Sequence, residues 1–284
     1  MMIAITGATG QLGRKVIHEL LKTLPADRIT ALVRQPQQAA KQLPEGLVFR
    51  EADYNRPETL QPALEGVTRL LLISSSEVGQ REAQHAAVID AAKAAGVQFI
   101  AYTSLLHADR SPLGLAVEHR ATEAKLAASG IGYALLRNGW YSENYAASIA
   151  PALEHHAFIG AAAEGKIASA SRQDYAEAAS KVLLADDQAG KVYELAGDDA
   201  YTLSEFSAEI ARQSGKKVEY VNLSQGEFAA ALKQAGLPEA LADLLADSDN
   251  GAAQGGLYDD SHTLSALIGR PTTPYAATIR DTLK

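Results

Sequence analysis

Six short apolar runs alternate with helix-like stretches through the first half of the chain, and this alternation constrains the fold more than any other feature. The runs "MMIAIT", "RITALVR", "GLVFREAD", "TRLLLISS", "VQFIAYTS" and "IGYALLRN" are separated by "GRKVIHELLKTL", "QQAAKQL", "PETLQPALEG", "EAQHAAVIDAAKAAG" and "GLAVEHRATEAKLAASG". Strands that are apolar almost throughout belong in a sheet covered on both faces. Their alternation with helices implies right-handed crossovers and a doubly wound parallel sheet of the α/β class. Gly66, Gly96 and Gly130 each end a helical run ahead of a strand, where a left-handed residue belongs. In the fourth helical stretch Ala83, Ala87, Ala91 and Ala94 form a small-residue face suited to packing on the sheet.

The regularity weakens after about residue 145. "YELAG" (193–197) reads as a further strand, and "TLSEFSAEIARQSG" (202–215) as a helix capped by Thr202 or Ser204. "SQGEFAAALKQAGLPEALADLLADSD" reads as two short helices broken at Gly236 and Pro238, and "NGAAQGGL" (250–257) as a mobile loop. The expected organisation is a dinucleotide-binding domain over 1–150, to which 165–197 returns, and a smaller, mostly helical lobe within 151–284.

The first strand runs straight into "GATGQLG" and a helix. Gly7 permits the tight turn, Gly10 lets the backbone approach a pyrophosphate, and Gly13 lets the helix lie close on the strand. The intervening Ala8, Thr9, Gln11 and Leu12 complete the turn. Free amides and the positive end of the helix dipole then face the phosphates, as in a Rossmann nucleotide site. The second strand, "TALVR", ends without a carboxylate, and Arg34 stands where a ribose-binding acid would be in an NAD site. A guanidinium there suits a 2′-phosphate, so NADPH is the expected cofactor. Asp53, closing the third strand, could accept from the adenine amino group or cap a turn. Ser74, Ser75 and Ser76 follow the fourth strand, where small hydroxyl residues can lie against ribose and pyrophosphate.

A proton donor is harder to find. None of the 11 tyrosines has a lysine four positions on, so the Tyr-x-x-x-Lys pair of short-chain reductases is missing. His119 and Glu123 lie one helical turn apart where that pair would fall. His119 could donate a proton near neutral pH, or be a hydrogen-bonded helix histidine. His155 and His156 are adjacent and diverge, so no metal site is expected. With 26 basic and 34 acidic residues the formal charge is −8, a poor match to nucleic acid or an anionic membrane. The absence of cysteine removes thiolate chemistry and disulfides. No signal peptide or membrane span is evident, so a cytoplasmic location is expected.

On "GATGQLG", Arg34 and "SGIGYALLRNGWYSENY", the sequence resembles the NmrA-like branch of the atypical short-chain dehydrogenase/reductases, along the whole chain. The resemblance implies NADP(H) in the glycine turn, with Arg137, Asn138, Trp140, Tyr141 and Asn144 lining the cleft over the nicotinamide. Ser169 and Arg172 would touch cofactor or substrate, and Asp174 would cap the helix that follows. His119 stands where many relatives carry a lysine. Quinone reduction by direct hydride transfer, without flavin, is the activity implied, and Trp140 and Tyr141 would stack on a flat substrate. A nucleotide-sensing regulator without turnover is the alternative. The oligomeric state is left open, with a homo-oligomer allowed.

Overall fold

The computed structural model describes residues 1–284. In chain order the elements are β1 (Ile3–Ile5), α1 (Gln11–Leu20), β2 (Ile29–Val33), α2 (Pro36–Ala39), β3 (Val48–Glu51), α3 (Leu60–Ala63), β4 (Arg69–Leu72) and α4 (Arg81–Ala94). Next come β5 (Phe99–Leu105), α5 (Ala116–Ser129), β6 (Gly132–Asn138), α6 (Ser142–Ala146), α7 (Ile149–His155), β7 (Ala157–Gly160), α8 (Arg172–Leu184) and β8 (Val192–Leu195). The chain ends with α9 (Leu203–Ser214), β9 (Glu219–Asn222), α10 (Gln225–Gln234), α11 (Glu239–Ala253), α12 (Thr263–Ile268) and α13 (Tyr275–Thr282).

Seven strands form one sheet in the order β3-β2-β1-β4-β5-β6-β8. The pairings β1 with β2, β1 with β4, β2 with β3 and β4 with β5 are all parallel. The strand order reverses between β1 and β4, and ligands of such sheets bind in the crevice at that switch point. β1, β2 and β5 are buried along their whole length, which is why they read as unbroken apolar runs.

Two compact units divide the chain: Met1–Leu105 with Val117–Arg137 and Arg172–Tyr193, and Leu106–Ala116 with Asn138–Ser171 and Glu194–Lys284. In this division the first unit breaks off after Arg137, and the segment that rejoins it is Arg172–Tyr193. It consists chiefly of α8, which lies along α1: Gln173 Nε2 donates to Glu19 Oε1 at 2.6 Å, and the Ser180 hydroxyl to the Val16 carbonyl at 3.4 Å. Residues 106–116, which interrupt the βα alternation between β5 and α5, belong to the second unit; no break in composition marks them.

Gly66, Gly96 and Gly130 have φ of +73°, +77° and +80°, as helix ends require. The alanine face expected on α4 is corrected. Ala83 and Ala94 are exposed, and the packed stripe is Arg81, Gln84, His85, Val88, Ile89 and Ala92. The helix thus buries polar side chains on the sheet, which counting small residues could not reveal.

The second unit holds the two-stranded parallel sheet β7–β9 and most of the C-terminal helices. Tyr145, Phe158, Tyr201, Phe206 and Tyr275 form its aromatic centre, with Phe158 to Phe206 at 5.4 Å and Tyr201 to Tyr275 at 4.3 Å between ring centroids. Thr202 caps α9 in a reciprocal box with Glu205, and Gly215 ends that helix at φ +68°. "NGAAQGGL" is not a free loop: residues 250–253 end α11, and Gly251 and Gly256 press on Leu113 so closely that a Cβ would meet Leu113 Cδ1 at 2.7 and 2.5 Å. Asp174 lies inside the first turn of α8, buried, instead of ahead of it.

The most crowded glycine of the nucleotide turn makes a test of the architecture. A Cβ on Gly13 would stand 2.3 Å from the Gly7 carbonyl oxygen and 2.9 Å from Ala8 Cα. Gly13→Ala should cost about 3 kcal/mol, the upper range for overpacking. Gly66→Ala, at φ +73° with nothing within 4 Å of the added carbon, should cost about 1–2 kcal/mol from backbone strain alone. Urea unfolding measures both, and equal midpoints for the two variants would refute the close approach of α1 to its turn.

Candidate functional site

The glycine turn has the geometry its residues allow. Gly7 takes φ +57°, and the Gly10 amide donates to the Gly7 carbonyl at 2.9 Å. Gly10 is the N-cap of α1, so no side chain satisfies the first amides, and the first turn carries no acid. Helix-start amides left this way hold an anion. Arg14 closes the far side of the turn: its Nε donates to the Thr9 carbonyl and Nη2 to Gln42 Oε1, both at 2.7 Å. Arg34, just past β2, is exposed and engaged in no ion pair or hydrogen bond. An unpaired guanidinium beside an anion-binding turn fits an additional phosphate. The donor set therefore suits a phosphorylated dinucleotide.

β4 borders the turn directly. The Ile73 amide donates to Thr6 Oγ1 at 2.9 Å, and a Cβ on Gly7 would touch Ile73 Cβ at 3.6 Å. Ser74 and Ser75 follow, both half-buried, with their amides turned into the protein. Ser74 N donates to Thr103 Oγ1 at 2.8 Å and Ser75 N to His85 Nε2 at 2.9 Å. Asp53 is a turn residue: its Oδ1 accepts from the Asn55 amide at 3.0 Å and its Oδ2 lies 3.5 Å from Arg56 Nε. Of the two roles open to it, the structure displays the local one.

His119 requires a correction. Its side chain is 5% exposed, Nδ1 lies 2.7 Å from the Tyr102 hydroxyl, and Nε2 lies 3.5 Å from Arg81 Nη1. Burial first, and then the Arg81 and His85 charges, push the ring down to about 3. A ring that stays neutral at pH 7 and points into the core is no acid for a substrate. His85, which the sequence reading passed over, is its fully buried neighbour: burial, then Arg81, push it to about 3 as well. A histidine in the apolar stripe of α4 was the available signal.

Glu123 fills the rest of the place where a tyrosine–lysine pair would stand. It accepts from Ser104 Oγ at 2.6 Å and from Arg137 Nε and Nη2 at 3.0 and 2.8 Å. Arg137 is therefore held by a bidentate carboxylate at the end of β6. Arg172, half-buried, opens α8.

The other expected residues lie in the second unit. The Asn138 side chain is 5% exposed, and its buried Oδ1 has no hydrogen-bond partner. Such an orphaned acceptor is a mark of a site made for a further group. Trp140 is 8% exposed and packed into the unit, whereas Tyr141 is half-buried and keeps exposed surface. Asn144 lies on α6, half-buried. Ser169 is enclosed between the Ser142 hydroxyl at 2.8 Å and the Tyr201 hydroxyl at 2.7 Å. Its hydroxyl is spent inside the unit, which corrects its expected contact with cofactor or substrate. Below Trp140 and Tyr141, Tyr145 donates to buried Asp249 at 2.8 Å and anchors α6.

A turn open to a diphosphate at the switch point of a parallel sheet defines a Rossmann nucleotide-binding protein. The model of the family described as NAD(P)H-binding matches residues 7–186, and the chain belongs to this NAD(P)H-binding, NmrA-like family. Among curated relatives, quinone oxidoreductase 2 of Escherichia coli (strain K12) is 64% identical over 98% of this chain and 97% of its own. The crystal structure of the NADPH-dependent quinone oxidoreductase of Escherichia coli complexed with NADPH matches with a TM-score of 0.97 at 63% identity, over 100% of both chains. Citrobacter sp. triphenylmethane reductase complexed with NADP(H) matches with a TM-score of 0.94 at 37% identity, over 99% of each.

The two buried imidazoles set the acid stability. Each is neutral when folded and, once unfolded, takes up a proton near pH 6.5, so unfolding binds protons between pH 6.5 and about 3. Stability is full above that window and falls as the pH drops through it, by roughly 2 kcal/mol per ring at pH 5. Urea titrations at pH 7.5 and pH 5 measure the difference. A flat stability across this interval would mean that the rings are open to water.

Proposed function

We propose that this protein is an NADPH-dependent quinone oxidoreductase that passes hydride directly to a quinone without flavin. Arg34 carries the cofactor assignment: exposed, unpaired and set beside the glycine turn, it suits the 2′-phosphate that distinguishes NADPH from NADH. The 64% identity to an enzyme named quinone oxidoreductase 2 supports the activity. Gly7 to Gly13 hold the diphosphate through the first amides of α1, and Ser74 and Ser75 border the ribose. In the second unit, the orphaned Asn138 carbonyl oxygen suits an amide donor, and Tyr141 and Asn144 are half-buried groups suited to a flat, polar-edged ligand. Bound NADPH supplies the hydride.

Quinone chemistry agrees with the side chains that are missing. Hydride addition to a quinone leaves an aromatic hydroquinone anion, which is far more stable than the alkoxide formed from a ketone. Water can complete the protonation, so neither a tyrosine of lowered pKa nor a charged histidine has to stand at the site. What remains for the protein is positioning, and near-attack geometry can contribute on the order of 7–11 kcal/mol. No helix is long and apolar enough to cross a membrane, and we read the protein as cytoplasmic and its substrate as a small quinone taken up from water.

Purified protein should oxidise NADPH when a simple quinone is added, with NADH a much poorer donor; the decay of NADPH absorbance reports the rate. Binding of NADPH without turnover would instead favour a nucleotide sensor. Arg34→Ala should raise KM for NADPH about 10-fold or more, as loss of a charge-assisted pair worth about 1.5–3 kcal/mol requires, and leave NADH kinetics nearly unchanged. Equal damage to both donors would make Arg34 a structural residue.

A further inference from the structure

The segment Ser74–Gln80, between β4 and α4, is held from one side by a set of side chains that the cofactor site does not otherwise explain. At its start the Ser75 amide donates to His85 Nε2 at 2.9 Å, while the Ser75 carbonyl accepts from Arg81 Nε at 2.7 Å. Further on, Gln84 Nε2 donates to Glu77 Oε2 at 2.9 Å, and the Gly79 amide to Glu118 Oε1 at 2.9 Å. Four side chains from α4 and α5 thus fix a segment that has no regular structure of its own.

His85 is the innermost of these. Because Nε2 accepts the Ser75 amide, the ring proton sits on Nδ1, which lies 2.9 Å from Thr122 Oγ1. The Thr122 hydroxyl then donates to the Glu118 carbonyl at 3.0 Å. One directed chain of bonds therefore runs from the Ser75 amide through the imidazole to α5. The ring has no exposed surface and meets Tyr102 edge-on at 5.4 Å between centroids, so it cannot turn to another partner.

We infer that His85 is a positioning residue for nucleotide binding, setting which backbone groups the segment after β4 presents at the switch point of the sheet. This inference rests on the dinucleotide assignment made above. A Cβ on Gly7 would lie 3.6 Å from Ile73 Cβ, and the Ile73 amide donates to Thr6 Oγ1 at 2.9 Å, so the chain leaves β4 beside the glycine turn and Ser74 and Ser75 follow at its rim. With the amides of Ser74 and Ser75 bound by Thr103 and His85 and the Ser75 carbonyl held by Arg81, the Ser74 carbonyl is the acceptor left to the rim. The Ser75 hydroxyl, which accepts from the Glu77 amide at 3.2 Å, keeps its own proton to donate. A ribose hydroxyl can donate to the one and accept from the other. Released from His85, the Ser75 amide would lose its partner and the rim its order, whereas Arg34 and the α1 amides would be untouched.

Three variants of the full-length protein test this, with NADPH affinity measured by calorimetry and turnover measured with a simple quinone. His85→Phe fills the space without an acceptor. It should weaken NADPH binding about tenfold, the effect of one buried hydrogen bond lost, and leave kcat at saturating NADPH within about twofold of wild type. His85→Gln restores an acceptor near the Nε2 position and should recover most of the affinity. Thr122→Val removes the group that fixes the ring proton and should weaken binding in the same direction; it serves as the test if His85→Phe does not fold. Unchanged NADPH affinity in a folded His85→Phe or Thr122→Val, with wild type binding normally, overturns the inference alone. So does a loss that His85→Gln fails to recover. Failure of the wild-type protein to bind NADPH overturns the inference together with the dinucleotide assignment.

Discussion

The close approach of α1 to the turn that follows β1 is the constraint on which the nucleotide site depends. Gly13 rests so near the Gly7 carbonyl that even a methyl group would collide with it. Only that proximity brings the first amides of the helix onto the rim of the turn, beside Ile73 just past the end of β4. α8 then lies alongside α1 on the sheet, through Gln173 to Glu19 and Ser180 to Val16. A segment from late in the chain thus braces the helix at its start. Helix dipole, orphaned amides and unpaired guanidinium all take their usefulness from this one backbone contact.

Much of this was legible because it obeys local rules. The alternation of apolar runs with helices follows from a sheet covered on both sides. The glycine spacing follows from the steric demands of one turn, and the Thr202–Glu205 box from the amides of a helix end. The organisation of the units was harder to read, because residues 106–116 and 172–193 change unit with no composition break, and their allegiance depends on long-range packing. Ser169 and Trp140 illustrate a further limit. A serine or tryptophan in a suggestive motif has the same letter whether it faces a ligand or the core, and here Tyr201 and Ser142 occupy the serine.

The polar interior of the first unit was invisible for a related reason. His85 stands in a run that looks like an alanine-rich helix, and the helix turns that histidine inward with Gln84 and Arg81. Burying such groups costs free energy unless each finds a partner. Tyr102, His119, Thr122, Glu118, Glu77 and the Ser75 backbone provide most of those partners, with Gln84 Oε1 left unpaired, so the cost is offset only while the segment after β4 keeps its shape. The histidine on α5, in the place of a reductase acid, is neutral chiefly because it is buried, and its ring serves Tyr102 and Arg81.

This has a chemical consequence. A reductase of ordinary ketones needs an acid at the carbonyl oxygen, and the residues that would provide one are here a buried imidazole and a carboxylate already bound to Arg137 and Ser104. Converting such a site to alcohol chemistry would take more than a tyrosine at position 119, because Glu123 would raise the pKa of a nearby phenol where lysine lowers it. An acceptor whose reduced form is stable as an anion avoids this requirement. Polar groups committed to holding backbone in this interior are no longer available to move protons.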